Sequence, residues 1–325
     1  MKRAAALVRR RLAQAIPTVL GVVVINFLLL QLIPGDLVDA LVADAPSADE
    51  DYKAELRARL GLDRPVYVQF LLYLWSVLKL DFGHSYFHGG SVVSVIAERA
   101  GPTFLLMLSA IGLAAAVAVV AGVYAARRVN SLADNAIMVT ALVCYAAPVF
   151  WVGQMMIVLF AVKLGWFTIG GFRTIGADLS VAGDVLDVLR HLAMPMVALA
   201  LFFLAVYTRL MRASMLEVYG LDFVRTARAK GLSESRVAYR HVLRNALLPL
   251  VTMVGVQIGA LLGGAVVVET VFSWPGIGRL AYDAVFQRDY QLLLGILFFS
   301  AVFVVLINLA VDLLYARLDP RIEMA

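Results

Sequence analysis

Six long apolar runs constrain this chain more than any other feature of its sequence. A helix needs about 20 mostly apolar residues to cross about 30 Å of hydrocarbon, because each residue adds about 1.5 Å. Of the 325 residues, 62% are hydrophobic and 16% are charged, whereas about 25% of a globular protein is charged. The sequence therefore predicts an all-α membrane protein with six transmembrane helices. The predicted spans are Leu12–Ile33, Pro102–Ala126, Ala136–Val162, His191–Met211, Leu247–Val268 and Leu292–Ala316.

Basic residues in the short connections predict the direction of these spans. The tail before the first span has five basic residues and no acid, and Arg127 and Arg128 follow the second span. The connection 212–246, between the fourth and fifth spans, has seven basic residues against three acidic ones. Cytoplasmic loops carry such an excess of Lys and Arg. We therefore expect a multi-pass protein of the inner (cytoplasmic) cell membrane with both termini in the cytoplasm.

The spans divide the chain into three parts. Residues 1–34 form the N-terminal tail and a first span that is retained rather than cleaved, because no small-residue cleavage site follows it. Residues 35–101 form a large extracytoplasmic loop region, and residues 102–325 form the core with the remaining spans. Within the outer region, Val66–Leu80 is apolar and aromatic, which predicts a helix in or near the membrane interface. A seventh span is the alternative, although polar residues leave this run short.

The sequence contains no motif for catalysis or nucleotide binding. The phosphate-binding Gly-x4-Gly-Lys-Ser/Thr loop, His-Glu-x-x-His and Gly-x-Ser-x-Gly are all missing. Span interiors contain almost no charge, which argues against an ion-driven carrier, since such carriers keep intramembrane ionisable residues. His84 and His88 flank Ser85, but no base–acid pattern accompanies them, so we expect a turn. We predict no catalytic residue, no metal site and no cofactor bound by this chain, and a buried structural role for the single cysteine, Cys144.

Amide side chains and small residues within the spans are candidates for a translocation pathway or gate. Gly255, Gly259 and Gly263 lie four apart in the fifth span, so they share one helix face and let another backbone approach closely. Tight packing within the subunit is the favoured interpretation, and pathway lining is the alternative. Trp274 either anchors an interfacial turn or serves an outer gate or a contact with a binding protein. The pathway or gate candidates are Asn26, Gln154, Gly255, Gln257, Gly259, Gly263, Trp274 and Asn308.

The connection between the fourth and fifth spans has the pattern helix, glycine turn, helix. Asp222 is a predicted N-cap for a helix Phe223–Lys230, and Gly231 suits the next position, where a positive φ costs glycine nothing. Ser233 is expected to cap a second helix that runs toward Pro249, in the first turn of the fifth span. Such a segment fits a docking element for a cytoplasmic partner. Adhesion to acidic lipid head groups is the alternative.

The run Arg225–Gly231, Arg-Thr-Ala-Arg-Ala-Lys-Gly, resembles the cytoplasmic coupling loop (EAA loop) of binding-protein-dependent ABC importers. Arg225 and Thr226 stand where that family usually has Glu and Ala, and Leu248-Pro249 comes later after the glycine than in sugar importers. Both departures are those of the dipeptide, oligopeptide and nickel branch, and the large outer loop is similar to that of its B-type permease. Further stretches that resemble this branch, in chain order, are Pro34–Asp36, Leu60–Pro65, Leu80–Ser85, Glu269–Leu280, Arg288–Tyr290 and Asn308–Arg321.

The resemblance implies a type I importer fold and a heteromeric complex. Its implied partners are a second, C-type permease, two ABC ATPase subunits, an extracytoplasmic substrate-binding protein and membrane lipid, with no part for nucleic acid. ATP and magnesium would be bound by the ATPase subunits, so this chain is not expected to be an enzyme. The implied substrates are dipeptides or oligopeptides. Nickel, haem or another small solute is the alternative for the same machinery, and a stand-alone channel or secondary carrier is the alternative from another class.

The resemblance also implies that a coupling helix between the fourth and fifth spans docks in a groove of an ATPase. Phe223 and Val224 would supply apolar insertion, basic side chains would meet acidic groove residues, and Gly231 would set the turn. The implied coupling residues are Asp222, Phe223, Val224, Arg225, Thr226, Ala227, Arg228, Ala229, Lys230 and Gly231.

Overall fold

The computed structural model of the protein describes residues 2–32, 38, 50–60, 63–85, 87–259 and 265–318, and this part of the chain is mostly helical. A short antiparallel hairpin pairs β1 (His84–Ser85) with β2 (Gly90–Ser91). Two helical stretches, Ile157–Lys163 and Val237–Val242, have π-helical hydrogen bonding. The α-helices are α1 (Lys2–Leu32), α2 (Glu50–Leu60), α3 (Val66–Leu78), α4 (Val92–Arg127), α5 (Leu132–Ala146), α6 (Val149–Met156), α7 (Val181–Tyr219), α8 (Asp222–Ala229), α9 (Glu234–Arg236), α10 (Leu243–Gly259), α11 (Val266–Val271), α12 (Ile277–Phe286) and α13 (Tyr290–Leu318).

Four helices in the described part are long and apolar enough to cross a membrane, and they correspond to four of the six predicted spans. They are Ala13–Leu32, Val92–Arg127, Val181–Tyr219 and Tyr290–Leu313. The fifth predicted span begins within α10, but residues 260–264 lie outside the described part of the chain. Pro249 lies inside α10 rather than in a first turn, because the helix already begins at Leu243.

The third predicted span is not the single helix Ala136–Val162, and that prediction is wrong. The helices Leu132–Ala146 and Val149–Lys163 meet at an angle of 97°. Proline has no N–H to continue a helix, and its ring disfavours helical backbone in the preceding residue. Ala147, which precedes Pro148, is accordingly extended, with φ −73° and ψ 127°. The two helices form a broken span or a re-entrant loop.

The chain divides into two compact units, of which the first comprises residues 1–100 and 280–309. In this unit α3 packs on α1, with the ring of Phe27 5.2 Å from Phe70 and 6.0 Å from Tyr73. The 13 residues of α3 extend about 20 Å at 1.5 Å per residue. They are too short to cross the bilayer, which weighs against a seventh span.

The hairpin is the turn expected around His84 and His88. Ser85 donates a 2.6 Å hydrogen bond to Oδ2 of Asp289 and lies 3.2 Å from Nδ1 of His88. The serine thus lies between the histidine and the acid, whereas catalysis needs the histidine between the other two. The arrangement therefore ties the hairpin to the start of α13 rather than forming a catalytic triad.

The second unit comprises residues 101–279 and 310–325, and the 39-residue helix α7 is its centre. The Ser180 side chain accepts a hydrogen bond from the Gly183 amide and so caps the start of α7. α7 packs against α5, α6 and α10. It also lies very close to α4, since a Cβ added at Gly122 would be 2.7 Å from Cβ of Met211. The segment with the predicted coupling helix follows directly after this helix.

Candidate functional site

The helix α8, which follows α7 after two residues, begins one residue earlier than predicted. Leu221 has the extended backbone of an N-cap, with φ −79° and ψ 148°, and no side chain caps the N-terminus. Asp222 is the first helical residue, so its predicted N-cap role is wrong. An acid in the first turn still interacts favourably with the helix dipole, and its Oδ1 lies 3.6 Å from Nη1 of Arg225.

The C-terminal end of α8 has the predicted glycine turn. Gly231 has φ +77°, a region that only glycine enters without a steric penalty. Its N–H donates to the Arg228 carbonyl at 2.9 Å, and the Leu232 N–H donates to the Ala227 carbonyl at 3.4 Å. These two bonds form the Schellman motif, which satisfies the last carbonyls of a helix. The predicted positive φ of Gly231 at the end of this helix is confirmed.

The two faces of α8 differ in exposure. Val224 is fully buried and Ala227 is 6% exposed, so this face packs inside the subunit. Phe223 is 41% exposed and is the large apolar side chain on the outer face. The remaining coupling candidates are all exposed, and they are Asp222, Arg225, Thr226, Arg228, Ala229, Lys230 and Gly231.

An ion pair joins α8 to the next helical segment. Arg228 donates from Nε and Nη2 to the two carboxylate oxygens of Glu234, at 2.8 and 3.1 Å. This arginine holds the pKa of Glu234 below its usual range. Ser233 occupies the predicted N-cap position of the second helix, but its side chain makes no capping bond. The two short helices are therefore held by the Schellman turn and by this two-bond pair.

The end of α4 contacts the helical segment that follows α8. Nη2 of Arg127 donates to Oγ of Ser235 at 3.1 Å, and its Cζ lies 5.5 Å from the ring centre of Tyr239. Arg228 similarly lies 5.5 Å from the ring of Tyr219, the last residue of α7. The helix–turn–helix is thus attached to two long helices by cation–π and hydrogen-bond contacts.

A buried ion pair holds α5 to α7 near the same connection. Arg212 donates from Nε to Oδ1 of Asp134 at 2.6 Å and from Nη2 to Oδ2 at 2.7 Å. The Asp134 side chain is only 1% exposed, and it also accepts from the Asn130 amide at 3.0 Å. Arg212 is one of the seven basic residues of the connection 212–246, and its pairing with Asp134 was not predicted. The sequence pattern that could have drawn attention to Asp134 is an acid three residues after Ser131, at the start of an apolar run, which is typical of a helix N-terminus.

A second buried polar cluster surrounds Glu269, which lies in α11 and is fully buried. Oγ1 of Thr103 donates to Oε1 of Glu269 at 2.7 Å, and the Arg279 amide donates to Oε2 at 2.9 Å. The Thr103 oxygen accepts from the Ile277 amide at 2.8 Å. A Cβ at Gly276 would be 2.1 Å from Cδ of Glu269. The cluster therefore fixes the turn between α11 and α12 to the start of the α4 apolar run.

Two pathway candidates are buried in hydrogen-bonded positions. Asn26 is 1% exposed, and its Nδ2 donates to the Leu294 carbonyl at 3.3 Å. Trp274 is fully buried, donates from Nε1 to the Pro102 carbonyl at 2.9 Å, and meets Phe172 edge to face. Both side chains have internal partners in this conformation.

The other pathway candidates occupy varied environments. Gln154 on α6 and Asn308 on α13 are exposed, and Gln257 on α10 is half-buried. Gly255 is buried within α10, Gly259 is the last residue of that helix, and Gly263 lies outside the described residues. Their role in a pathway stays a prediction.

Comparison with known proteins places the chain in a family. Residues 118–324 match the family described as "Binding-protein-dependent transport system inner membrane component", and residues 4–107 match the N-terminal family of such membrane components. The chain is 41% identical over 320 residues to the oligopeptide transport system permease protein AppB of Bacillus subtilis (strain 168), covering 98% of this chain and 99% of the relative.

Other relatives agree. The di/tripeptide transport system permease protein DppB of Pseudomonas aeruginosa (strain UCBPP-PA14) is 41% identical over 330 residues, covering 97% of this chain and 98% of the relative. The dipeptide transport system permease protein DppB of Escherichia coli (strain K12) is 39% identical over 331 residues, covering 97% of each chain. A chain of the inward-facing MetNI methionine ABC transporter shares the fold, with a TM-score of 0.54 and 17% identity over 70% of this chain and 97% of that one. The chain belongs to the family of binding-protein-dependent transport system inner membrane components.

Proposed function

We propose that this chain is the permease subunit of an ATP-binding-cassette importer that moves dipeptides or oligopeptides across the cytoplasmic membrane. The observation that carries the proposal is the helix Asp222–Ala229, which has an exposed outer face and a glycine-terminated, ion-paired end. The names of its relatives, which are oligopeptide, di/tripeptide and dipeptide permeases, support peptides as the substrate. Separate subunits hydrolyse the ATP, and this chain supplies the path and receives the force.

The outer face of α8 suits a groove that is apolar at its centre and acidic at its rim. Phe223 is 41% exposed and would enter the groove, because a large aromatic ring supplies much contact area at low conformational cost. Arg225 and Lys230 are exposed beside it and would meet acidic side chains. Val224 stays inside the subunit and anchors the helix from behind.

Force applied to α8 would reach several long helices at once. Only Gly220 and Leu221 separate α8 from α7, so a displacement passes directly to that helix. The Arg228–Glu234 pair carries it to the segment that continues into α10, and the Arg127–Ser235 hydrogen bond carries it to α4. Differential contacts in two states are what such a transition needs, and a helix with a fixed end transmits displacement better than a mobile loop.

The proposed complex contains this chain, a C-type permease, two ATPase subunits and an extracytoplasmic substrate-binding protein. Both termini of this chain and α8 lie in the cytoplasm in this arrangement. The basic connection 212–246 and the positive-inside rule support that orientation.

Cysteine labelling of the whole complex tests docking and orientation together. The single native cysteine is replaced by Cys144→Ser, and Phe223→Cys or Tyr52→Cys is introduced. Tyr52 is 55% exposed in α2, belongs to the predicted extracytoplasmic loop region 35–101, and serves as the matched exposed aromatic position. We expect Phe223→Cys to cross-link to an ATPase and Tyr52→Cys to react with an impermeant thiol reagent added outside intact cells.

The proposal fails if Phe223→Cys reacts from outside, or if no ATPase co-purifies with the complex in a mild detergent. Uptake of labelled tripeptide by a strain lacking the native gene tests the substrate. Tripeptide uptake that depends on this chain would support peptide transport. Uptake of nickel without uptake of any peptide would show that the substrate is nickel instead.

A further inference from the structure

Arg209 is a cation within a predicted span, and its guanidinium lies over the ring of Tyr145, the residue before the last of α5. It lies in α7, about 15 Å before the last residue, Tyr219, at 1.5 Å per residue. Its Cζ lies 5.6 Å from the ring centre of Tyr145. Tyr145 lies about 16 Å further along α5 than Asp134, the partner of Arg212. Arg209 and Arg212 therefore reach α5 at two separate depths, and Arg209 reaches the deeper one.

The surroundings of this guanidinium are aromatic. Tyr145 stacks on Phe202 with ring centres 5.7 Å apart, and these rings are 46% and 39% exposed. Arg209 is itself exposed, and within the described part of the chain it forms no ion pair. One face of the guanidinium thus rests on a ring, while its N–H edges have no carboxylate partner among the residues that the structure describes.

This arrangement does not suit a side chain that faces lipid. An arginine near the end of a span normally directs its charge to the head groups on its own side, whereas Arg209 points to the deeper residue Tyr145. Intramembrane charges face the protein interior or a water-filled cavity. The span beside it breaks just after Tyr145, between Ala146 and Val149. Broken helices at membrane depth are tolerated where they are buried in protein or line a cavity.

We propose that Arg209, backed by Tyr145, binds the C-terminal carboxylate of a peptide on its way through the pathway. A guanidinium presents parallel N–H groups that match the two oxygens of a carboxylate. Every unmodified peptide carries this group whatever its side chains are, so a site for it would accept substrates of many sequences. This inference rests on the proposed peptide-import function.

Substitutions in the complete, reconstituted importer test the proposal. We expect Arg209→Gln to lower uptake of labelled trialanine into proteoliposomes by about tenfold or more, as expected for the loss of hydrogen bonds to a charged group. Arg209→Lys keeps the charge but loses the two-pronged geometry, so its uptake should be intermediate. Arg128→Gln is the matched control, because Arg128 is also exposed and lies 4.4 Å from a ring centre, that of Tyr124, beyond the end of α4. Uptake by this control should equal that of the wild type.

Chemical modification distinguishes two environments for the Arg209 side chain, a water-filled site and a contact with the second permease. In the Cys144→Ser background, R209C is treated with a thiosulfonate that adds a cationic ethylammonium group or with one that adds an anionic ethylsulfonate group. We expect the cationic group to restore uptake substantially and the anionic group to leave it low. Failure of R209C to react in the assembled complex would place the side chain against a partner and overturn the proposal. Equal uptake by Arg209→Gln and Arg128→Gln would overturn it as well.

The two proposals fail in different ways. If the wild-type complex takes up no trialanine, the proposed peptide-import function fails. If the wild type takes it up and Arg209→Gln does so equally well, only the role of Arg209 fails.

Discussion

Arg212 donates two parallel hydrogen bonds, of 2.6 and 2.7 Å, to the carboxylate of Asp134, whose side chain is 1% exposed. The two residues are 78 positions apart in sequence and join α5 to the helix that leads into α8. The arginine side chain is 24% exposed, so the two partners differ in access to water. Removal of the less exposed partner and removal of the more exposed one should therefore change the stability of the protein by different amounts.

Replacing the arginine should destabilise the protein more than replacing the acid. Arg212→Met leaves a covered, unpaired carboxylate, and we expect a loss of about 3 kcal/mol, the low end for breaking a buried pair. Asp134→Asn should cost less, because the arginine can turn toward water. Thermal unfolding of the purified complex measures both. The double variant should be more stable than Arg212→Met alone, and equal losses from the two single changes would contradict this account.

Gly276→Ala should destabilise the turn between α11 and α12. Its Cβ would lie 2.1 Å from Cδ of Glu269, which has no free space because Thr103 and the Arg279 amide hold it. We expect a loss of about 2 kcal/mol or more, in the range of overpacked cores. Gly112→Ala is the matched control, since nothing lies within 4 Å of its added Cβ. The measurement is the unfolding temperature of each variant. Equal values would show that the turn can shift enough to accommodate the added Cβ.

Gly231→Val should uncouple ATP hydrolysis from import without preventing insertion into the membrane. The space around Gly231 is open, so the penalty comes from its φ of +77°, which costs a residue with a Cβ about 1–2 kcal/mol. Peptide uptake per ATP hydrolysed is the measurement. Gly231→Asn is the control, because asparagine tolerates this conformation better, and it should retain more coupling than valine. Normal uptake by Gly231→Val would remove the role assigned to this turn.

The stabilisation that the Arg228–Glu234 pair contributes should change with pH only in the acid range. Because Arg228 lowers the pKa of Glu234 in the folded protein, the unfolded chain binds that proton more tightly. The stabilisation is therefore complete above the ordinary carboxyl pKa and is lost as pH falls through the lowered folded value. The unfolding temperature of Glu234→Gln should differ from the wild type by a small, constant amount between about pH 6 and 8 and converge with it in acid. A difference in unfolding temperature that instead grew as pH fell into the acid range would contradict the lowered pKa of Glu234.

Local patterns predicted the parts of the site that depend on neighbouring residues. The helix–turn–helix, its glycine turn and four of the spans were predicted because periodicity, capping and positive φ are properties of a few adjacent positions. Several local details were wrong, among them the capping bond of Ser233 and the place of Pro249 in the first turn of its helix. Leu221 rather than Asp222 occupies the N-cap position, since the backbone already becomes helical at the acid. The bend at Pro148 was missed because the apolar run continues through it.

The sequence by itself determined that this chain has several apolar helices long enough to cross a membrane and a helix–glycine turn–helix between two of its apolar runs, because these follow from apolar run length and from the backbone preferences of a few adjacent residues. Only the tertiary structure decided which polar side chains are paired. Asp134 meets Arg212, Thr103 meets Glu269, and Arg209 reaches Tyr145. The physical reason is that a buried polar group needs a partner close in space, and the partners of Asp134 and Glu269 lie 78 and 166 residues away.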